Sequence, residues 1–470
     1  MFTKLTLVTL VGARALADCV PPEVSQYHSM GCTTPDCEGL NLMPGEAECQ
    51  NLNNCPRYYN NTMDDYVAGA DMSLDADLEA FMSSTLSTYL SRVESFYPPS
   101  KVDTADVFNG VGGRAFLHLR LYTRFGDDKY LASASEYIAT SLANVDTIPE
   151  CYVGFLWGST GVYTLAAVIA DMQNEGADVV QGYIDQVSAI FETATDDEVA
   201  QYDDFDSGRA GLIYAANFLK AHFGTDVIAR EKVVAVAQAV LRRGLAQSGG
   251  EAYAEWISPN DGGKWLGQSH GSAGVLHELL SVPEVALENA TSKAIIMATL
   301  DHVVSKQFPS GNFPAEYFDE DEDELVQWDH GAPGVLGSLT LAASVYATDE
   351  AESAEKYMAS ARLAADCVWE RGLVVKGLML CHGISGNTYM QLLMHKATKD
   401  DKYLYRALQF QRYVSKSPGL YDVSQMRKPT PSPYFLWIGS YESAIMLWSD
   451  FVANADDLTQ ASFPGYEHAI

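Results

Sequence analysis

From about Asp71 to Tyr97, apolar residues fall three or four positions apart, at Leu74, Leu78, Phe81, Met82, Leu86, Tyr89, Leu90 and Val93. This spacing predicts a helix with one buried stripe, and Pro98-Pro99 stops it. Beyond it the pattern becomes a repeat. A Gly-x-x-Gly step followed by an apolar helical run begins at Gly110, Gly158, Gly208, Gly271, Gly331 and Gly383. Steps of about 50 to 60 residues mark a repeated supersecondary unit. Each unit continues with a helix apolar on most faces, such as Val162 to Met172 or Leu212 to Ala221, and then an amphipathic one, such as Lys129 to Ala143 or Ala351 to Trp369. The first kind belongs inside, and the second covers it.

Helix pairs at this period either stack as an open solenoid or close into a ring. A solenoid needs polar caps on its terminal repeats, and the pattern shows none. Closure is therefore expected: an all-α fold, an α/α toroid of about seven helical hairpins, with the glycine-marked helix starts around one mouth. Glycine there would let inner helices pack closely and let backbone N–H groups face a ligand. The seventh unit is eroded, because Gly439-Ser440-Tyr441-Glu442 has Glu442 where the second glycine is expected, yet the helical run Ala444 to Phe451 follows.

Chemistry concentrates at the same phase of the repeat. Three of the ten histidines stand immediately before a first glycine, in Ser269-His270-Gly271, Asp329-His330-Gly331 and Cys381-His382-Gly383. In a closed ring these positions converge. Asp329, Cys381 and His382 then form a candidate zinc site with an open fourth position, flanked by His270 and His330. Cys381 and His382 are expected in the first turn of a helix, where the macrodipole favours thiolate. Zinc with an open position lowers the pKa of a bound thiol or water. A carboxylate among the ligands tilts the metal toward water or weaker thiol binding.

Charge narrows the partners. Thirty Lys and Arg against 62 Asp and Glu give a formal net charge of -32, which repels nucleic acid and anionic lipid. The run Asp319 to Glu324 is all carboxylate, predicting a solvated loop. Lys4, the apolar run Leu5 to Val11 and Ala15-Leu16-Ala17 resemble a signal peptide over residues 1–17, although Arg14, Thr6 and Thr9 fit it poorly. No other stretch is apolar for long enough to span a membrane. Residues 18–66 hold Cys19, Cys32, Cys37, Cys49 and Cys55. In an exported chain they predict a disulfide-stapled segment in which one cysteine pairs with Cys151 or stays free. A small metal knuckle is the competing reading. Asn60-Asn61-Thr62 and Asn289-Ala290-Thr291 are glycosylation sequons if the chain enters the secretory pathway. Otherwise the chain is cytoplasmic. Residues 67–470 carry the toroid.

Four segments resemble the lanthionine synthetase C-like family, eukaryotic branch: YDDFDSGRAGLIYAA (202–216), HGSAGVL (270–276), LVQWDHGAPGV (325–335) and KGLMLCHGISGNTY (376–389). The similarity continues through KYLYRALQF (402–410). The resemblance implies a seven-hairpin toroid with a central zinc held by two cysteines and a histidine. Bacterial relatives cyclise dehydroamino acids with cysteine thiols; eukaryotic relatives add glutathione to dehydrated residues in proteins. Cys381 and His382 match two zinc ligands, and Asp329 stands where the family has its other cysteine. His270 matches an active-site acid or base, Asp204 an acidic position implicated in bacterial members, and Lys376 a lysine near the glutathione site. Arg427 or Lys428 falls near a family arginine, and Ile438 occupies a usual glutamate position. The leading expectation is a zinc-dependent thioether-forming enzyme whose partners are a thiol, glutathione or a peptide cysteine, and a dehydrated peptide or protein. Export would favour the peptide cysteine. A non-catalytic binding protein is the alternative, and a toroid glycosidase using Asp204 and Asp329 is the third.

Overall fold

The computed structural model describes residues 57–318, 322–422 and 433–468. The described residues are helical, with only isolated bridges at Tyr58–Val374 and Trp265–Glu316. In chain order the main helices are α1 (Ala76–Phe96), α2 (Val111–Phe125), α3 (Asp128–Ala143), α4 (Ser159–Met172), α5 (Ala177–Thr193), α6 (Arg209–Phe223) and α7 (Arg230–Gln247). They continue as α8 (Ser272–Leu280), α9 (Ala290–Ser305), α10 (Ala332–Val345), α11 (Ala351–Arg371), α12 (Ile384–Thr398), α13 (Asp401–Ser415) and α14 (Ser440–Ala453).

Even-numbered helices are the inner ring. Each packs on the next, α2 on α4 through α12 on α14, and α14 returns to α2, closing the circle. Odd-numbered helices cover them. The seventh inner helix, α14, takes its cover from α1, at the other end of the sequence. The two ends of the repeat array therefore complete one hairpin. Among the described residues, no helix is long and apolar enough to cross a membrane.

The repeated glycine has a local cause. Ahead of each inner helix the chain turns back on itself, and a β-carbon at Gly161 or Gly386 would lie 1.9 or 2.0 Å from the carbonyl oxygen six residues earlier, Phe155 O or Leu380 O. Such contact is impossible for any side chain. In the seventh unit the fold-back is kept differently: the Ser443 hydroxyl donates to Leu436 O at 2.6 Å.

Glu442 is thus released for another task. It is buried, and Arg114 Nε of α2 donates to its Oε1 at 3.1 Å. The same buried guanidinium takes Asp103 with both terminal nitrogens and stacks over Tyr97, 3.9 Å from the ring centroid. The eroded repeat is the seam of the ring.

Backbone bonds also join each loop to the next around the mouth. Val107 N bonds Leu156 O, Gly154 N bonds Ser207 O and Phe205 N bonds Ser269 O; Gln268 N bonds Trp328 O, Asp329 N bonds Cys381 O, and Cys381 N bonds Trp437 O. Trp437 then stacks on Phe108, with 5° between ring planes.

The lumen is filled by the chain itself. Residues 461–466 are buried and touch inner helices all around the ring. Arg120 of α2 donates to Ser462 O, Tyr214 of α6 to Pro464 O, and the Tyr466 hydroxyl to Pro333 O and Gly334 O of α10. Phe463 packs against Trp328 and Trp437, directly beneath the mouth.

Residues 57–66, at the end of the segment expected to be cysteine-rich, lie on the ring. Tyr59 N bonds Leu373 O, Asn61 donates to Trp369 O, and Arg406 holds Asp65 with two nitrogens. The five cysteines before them and the signal-like residues 1–17 fall outside the described residues. Cys151 is disulfide-bonded. Of the acidic run, Asp323 pairs with Arg371 and Glu324 with Arg57.

Removing Arg114 strands a buried carboxylate, which costs about 3 to 5 kcal/mol. Arg114→Ala should therefore lower the denaturation midpoint far more than Glu442→Gln in urea titrations. A double variant, Arg114→Met with Glu442→Gln, should recover much of the loss.

Candidate metal centre

Asp329, Cys381 and His382 meet at the mouth. One ligand atom from each lies within 4.8 Å of the others. His382 Nε2 is 2.9 Å from Asp329 Oδ2 and 3.8 Å from the Cys381 sulfur. Tetrahedral zinc, with bonds of about 2.0 to 2.3 Å, places its ligand atoms roughly 3.3 to 3.8 Å apart. Small rotations of these side chains would accommodate it. Asp329 Oδ1 is buried and has no hydrogen-bond partner, so a lone pair is left for a cation. The donor set fits zinc.

Backbone position explains the convergence. Asp329 and Cys381 belong to consecutive loops, and Asp329 N bonds Cys381 O at 3.1 Å. Cys381 and His382 are not in the first turn of α12 as expected. That helix begins at Ile384 with Gly383 as its N-cap, so both residues lie in the folded-back loop. The expected helix-dipole effect on the thiol fails for the same reason. Burial pushes the Cys381 thiol well above its usual pKa, and the Asp329 and Asp206 carboxylates add to it; Lys376 opposes them.

A second expectation also changes. Backbone N–H groups at the inner-helix starts do not face a ligand. Arg209 N bonds Tyr202 O, Ser272 N bonds Trp265 O and Ile384 N bonds Gly377 O, in each case seven residues back. The fold-back that requires glycine also consumes these donors.

His330 flanks the cluster, with Nε2 3.0 Å from Asp329 Oδ2 and its ring 5.0 Å from Trp265. Burial opposes ionisation of Asp329, but the charge and hydrogen bonds of His330, with the bond from His382, outweigh it and hold this carboxyl well below the usual range. Burial lowers the His382 pKa to about 4, keeping the imidazole neutral, as a ligand must be.

His270 comes from the loop before α8 and reaches the same region. Its Nε2 is 3.8 Å from Asp206 Oδ2. Burial works against the charged ring, but Asp206, Asp329 and Asp204 raise its pKa to about 8. Asp204 accepts from Ser207 N at 2.6 Å, and burial raises its pKa to about 6. Lys376, half-buried, is close enough to feel the charges of Asp329 and Cys381; burial lowers its pKa to about 8. Arg427 and Lys428 lie outside the described residues.

Two participants were not expected. Arg57 is brought to the segment of Lys376 by the bond from Val375 N to Arg57 O, and its charge contributes to the lowered Lys376 pKa. No periodicity marks a residue outside the repeats. Asp206 stands in a quoted segment, two residues from Asp204, and its phase in the loop was the available signal.

An all-helical ring of this kind is a class of fold shared with nisin cyclase. That structure covers 80% of this chain and 94% of its own, with a TM-score of 0.50 at 13% identity. The model of the family described as "Lanthionine synthetase C-like protein" matches residues 101–427, and the chain belongs to this family. Glutathione S-transferase LANCL1 of Danio rerio is 26% identical over 393 residues, covering 82% of this chain and 91% of that protein. LanC-like protein GCL1 of Arabidopsis thaliana is 29% identical over 367 residues, covering 77% and 81%.

Cys381 is 1% exposed and favours the unreactive thiol. With the protein stripped of metal at pH 7.5, iodoacetamide should alkylate it at least about tenfold more slowly than an unstructured cysteine. Mass spectrometry of the digested protein reads this directly.

Proposed function

We propose that the protein binds zinc through Asp329, Cys381 and His382 and adds a thiol to the double bond of a dehydroamino acid in a peptide, forming a thioether. The observation that carries this reading is the buried Asp–Cys–His cluster with protonatable His270 beside it. Membership of the family and the name of the Danio rerio relative support a thiol as cosubstrate.

Zinc at this position would bind the substrate sulfur and lower its pKa. The chain's own groups supply the rest. Lys376 offers positive charge for a substrate carboxylate in an otherwise acidic protein, with Arg57, itself paired to Glu324, close by. As the sulfur bonds to the β-carbon, the alkene π pair moves to the α-carbon and its carbonyl. His270 donates a proton to that α-carbon, and the proton lost by the thiol restores the acid. Atoms balance as addition of S–H across the double bond.

Binding without chemistry is the second reading. Asp329 Oδ2 is already engaged by both His330 and His382, so the charge of this carboxylate is compensated without metal. The disulfide at Cys151 supports export, and in an oxidising compartment a peptide cysteine is a better nucleophile than glutathione.

Metal analysis of the purified protein should give one zinc per chain, with loss in Cys381→Ala. A dehydroalanine peptide with glutathione, and one carrying its own cysteine, should each be followed by mass. Zinc without any adduct favours the binding role, and absence of both metal and adduct sinks the proposal. Lys376→Ala should raise KM for glutathione about tenfold or more while kcat changes little, since one charge-assisted contact contributes about 1.5 to 3 kcal/mol.

A further inference from the structure

Asp206 is fully buried, and nothing in the proposed chemistry yet uses it. Its loop is locked to that of His270, since Phe205 N and Asp206 N both bond Ser269 O, at 3.2 and 3.4 Å. The Ser269 hydroxyl donates to Asp206 Oδ2 at 2.5 Å, and His270 Nε2 is 3.8 Å from the same oxygen. The other oxygen, Oδ1, is buried without a hydrogen-bond partner. A carboxylate so placed is costly unless a cation compensates it. Among the described residues, His270 is the group at ion-pair distance.

We propose that Asp206 is the positioning residue for His270: from the neighbouring hairpin it supplies the buried counter-charge that fixes the imidazole and keeps it protonated, ready to act as the acid. The inference rests on the role given to His270 above. Other groups facing the ring are Asp204 on the loop of Asp206, Asp329 from the loop before α10, and Asp261 from the segment between α7 and α8. All are carboxylates, and Asp206 exerts the largest effect of the four. Ser269 contributes indirectly, because its hydroxyl stabilises the ionised form of Asp206. A neutral imidazole would lack the second ring proton and could not serve as an acid from the same nitrogen without a change of tautomer.

The test is a titration of the protein as purified, with 13C-labelled histidine followed by NMR and His270 assigned from His270→Gln. The parent midpoint for His270 should lie near 8. In Asp206→Asn it should fall by about one pH unit or more, a tenfold loss of proton affinity; in Ser269→Ala the fall should be smaller. The alkaline limb of kcat/KM for thiol addition should move down with it, leaving KM for the thiol unchanged, a split that general loosening of the fold would not produce. A parent midpoint at or below 6.5, or an unmoved midpoint in Asp206→Asn, overturns the pairing. Should Asp206→Asn fail to fold, the parent midpoint and Ser269→Ala decide. A shifted midpoint in a protein that forms no thioether upholds the pair and rejects the proposed reaction, whereas thioether formation with an unmoved midpoint does the reverse.

Discussion

The run of backbone hydrogen bonds that joins consecutive inner-helix loops, closed into a circle by the stack of Trp437 on Phe108, is the constraint on which the rest depends. Helix packing alone tolerates sliding by a fraction of a turn; a peptide N–H aimed at a particular carbonyl does not. Asp329 and Cys381 are themselves members of this circle, through Asp329 N to Cys381 O and Cys381 N to Trp437 O. The separation of the two side chains is therefore fixed by main-chain geometry before any metal binds. The same applies to His270 and Asp206, held by bonds of residues 205 and 206 to Ser269 O. Preorganisation of this kind spares a site the cost of ordering itself when ligand arrives.

Electrostatics at the mouth runs against the rest of the surface. A chain of net charge -32 places Lys376 and Arg57 beside its candidate centre, while the carboxylates nearby are buried against histidines. Asp329 is held ionised by His330 and His382, and Asp204 is pushed up to about 6 by burial. Carboxylates of the same chemical type are thus split between a firmly ionised state and one that takes up a proton more readily by what surrounds them.

Most of the ring was legible in the sequence, because the glycine step reports a steric requirement that recurs at every inner-helix start. Cys381, His382 and Asp329 were legible for the same reason, as equivalent positions of the repeat. What periodicity could not show is where a carbonyl seven residues back would point. The first-turn donors therefore looked available, and Cys381 looked like part of a helix. Glu442 read as decay because its partner, Arg114, is 328 positions away in sequence and is adjacent only after closure. Arg57 was invisible because it joins the site from outside the repeats. Pattern does not distinguish Asp206 from Asp204, since a two-residue offset in a folded-back loop changes which neighbour a side chain meets.

The buried segment 461–466 bears on the order of events in folding. Arg120, Tyr214, Asp450 and the carbonyls of Pro333 and Gly334 are satisfied with help from this segment. These partners lie on α2, α6, α10 and α14, so the segment finds them together only once the inner helices have assembled. Until then the ring is hollow along its axis and its buried polar groups lack partners, which is costly. Filling of the lumen is therefore a late step, and it locks a ring that helix packing has already drawn together.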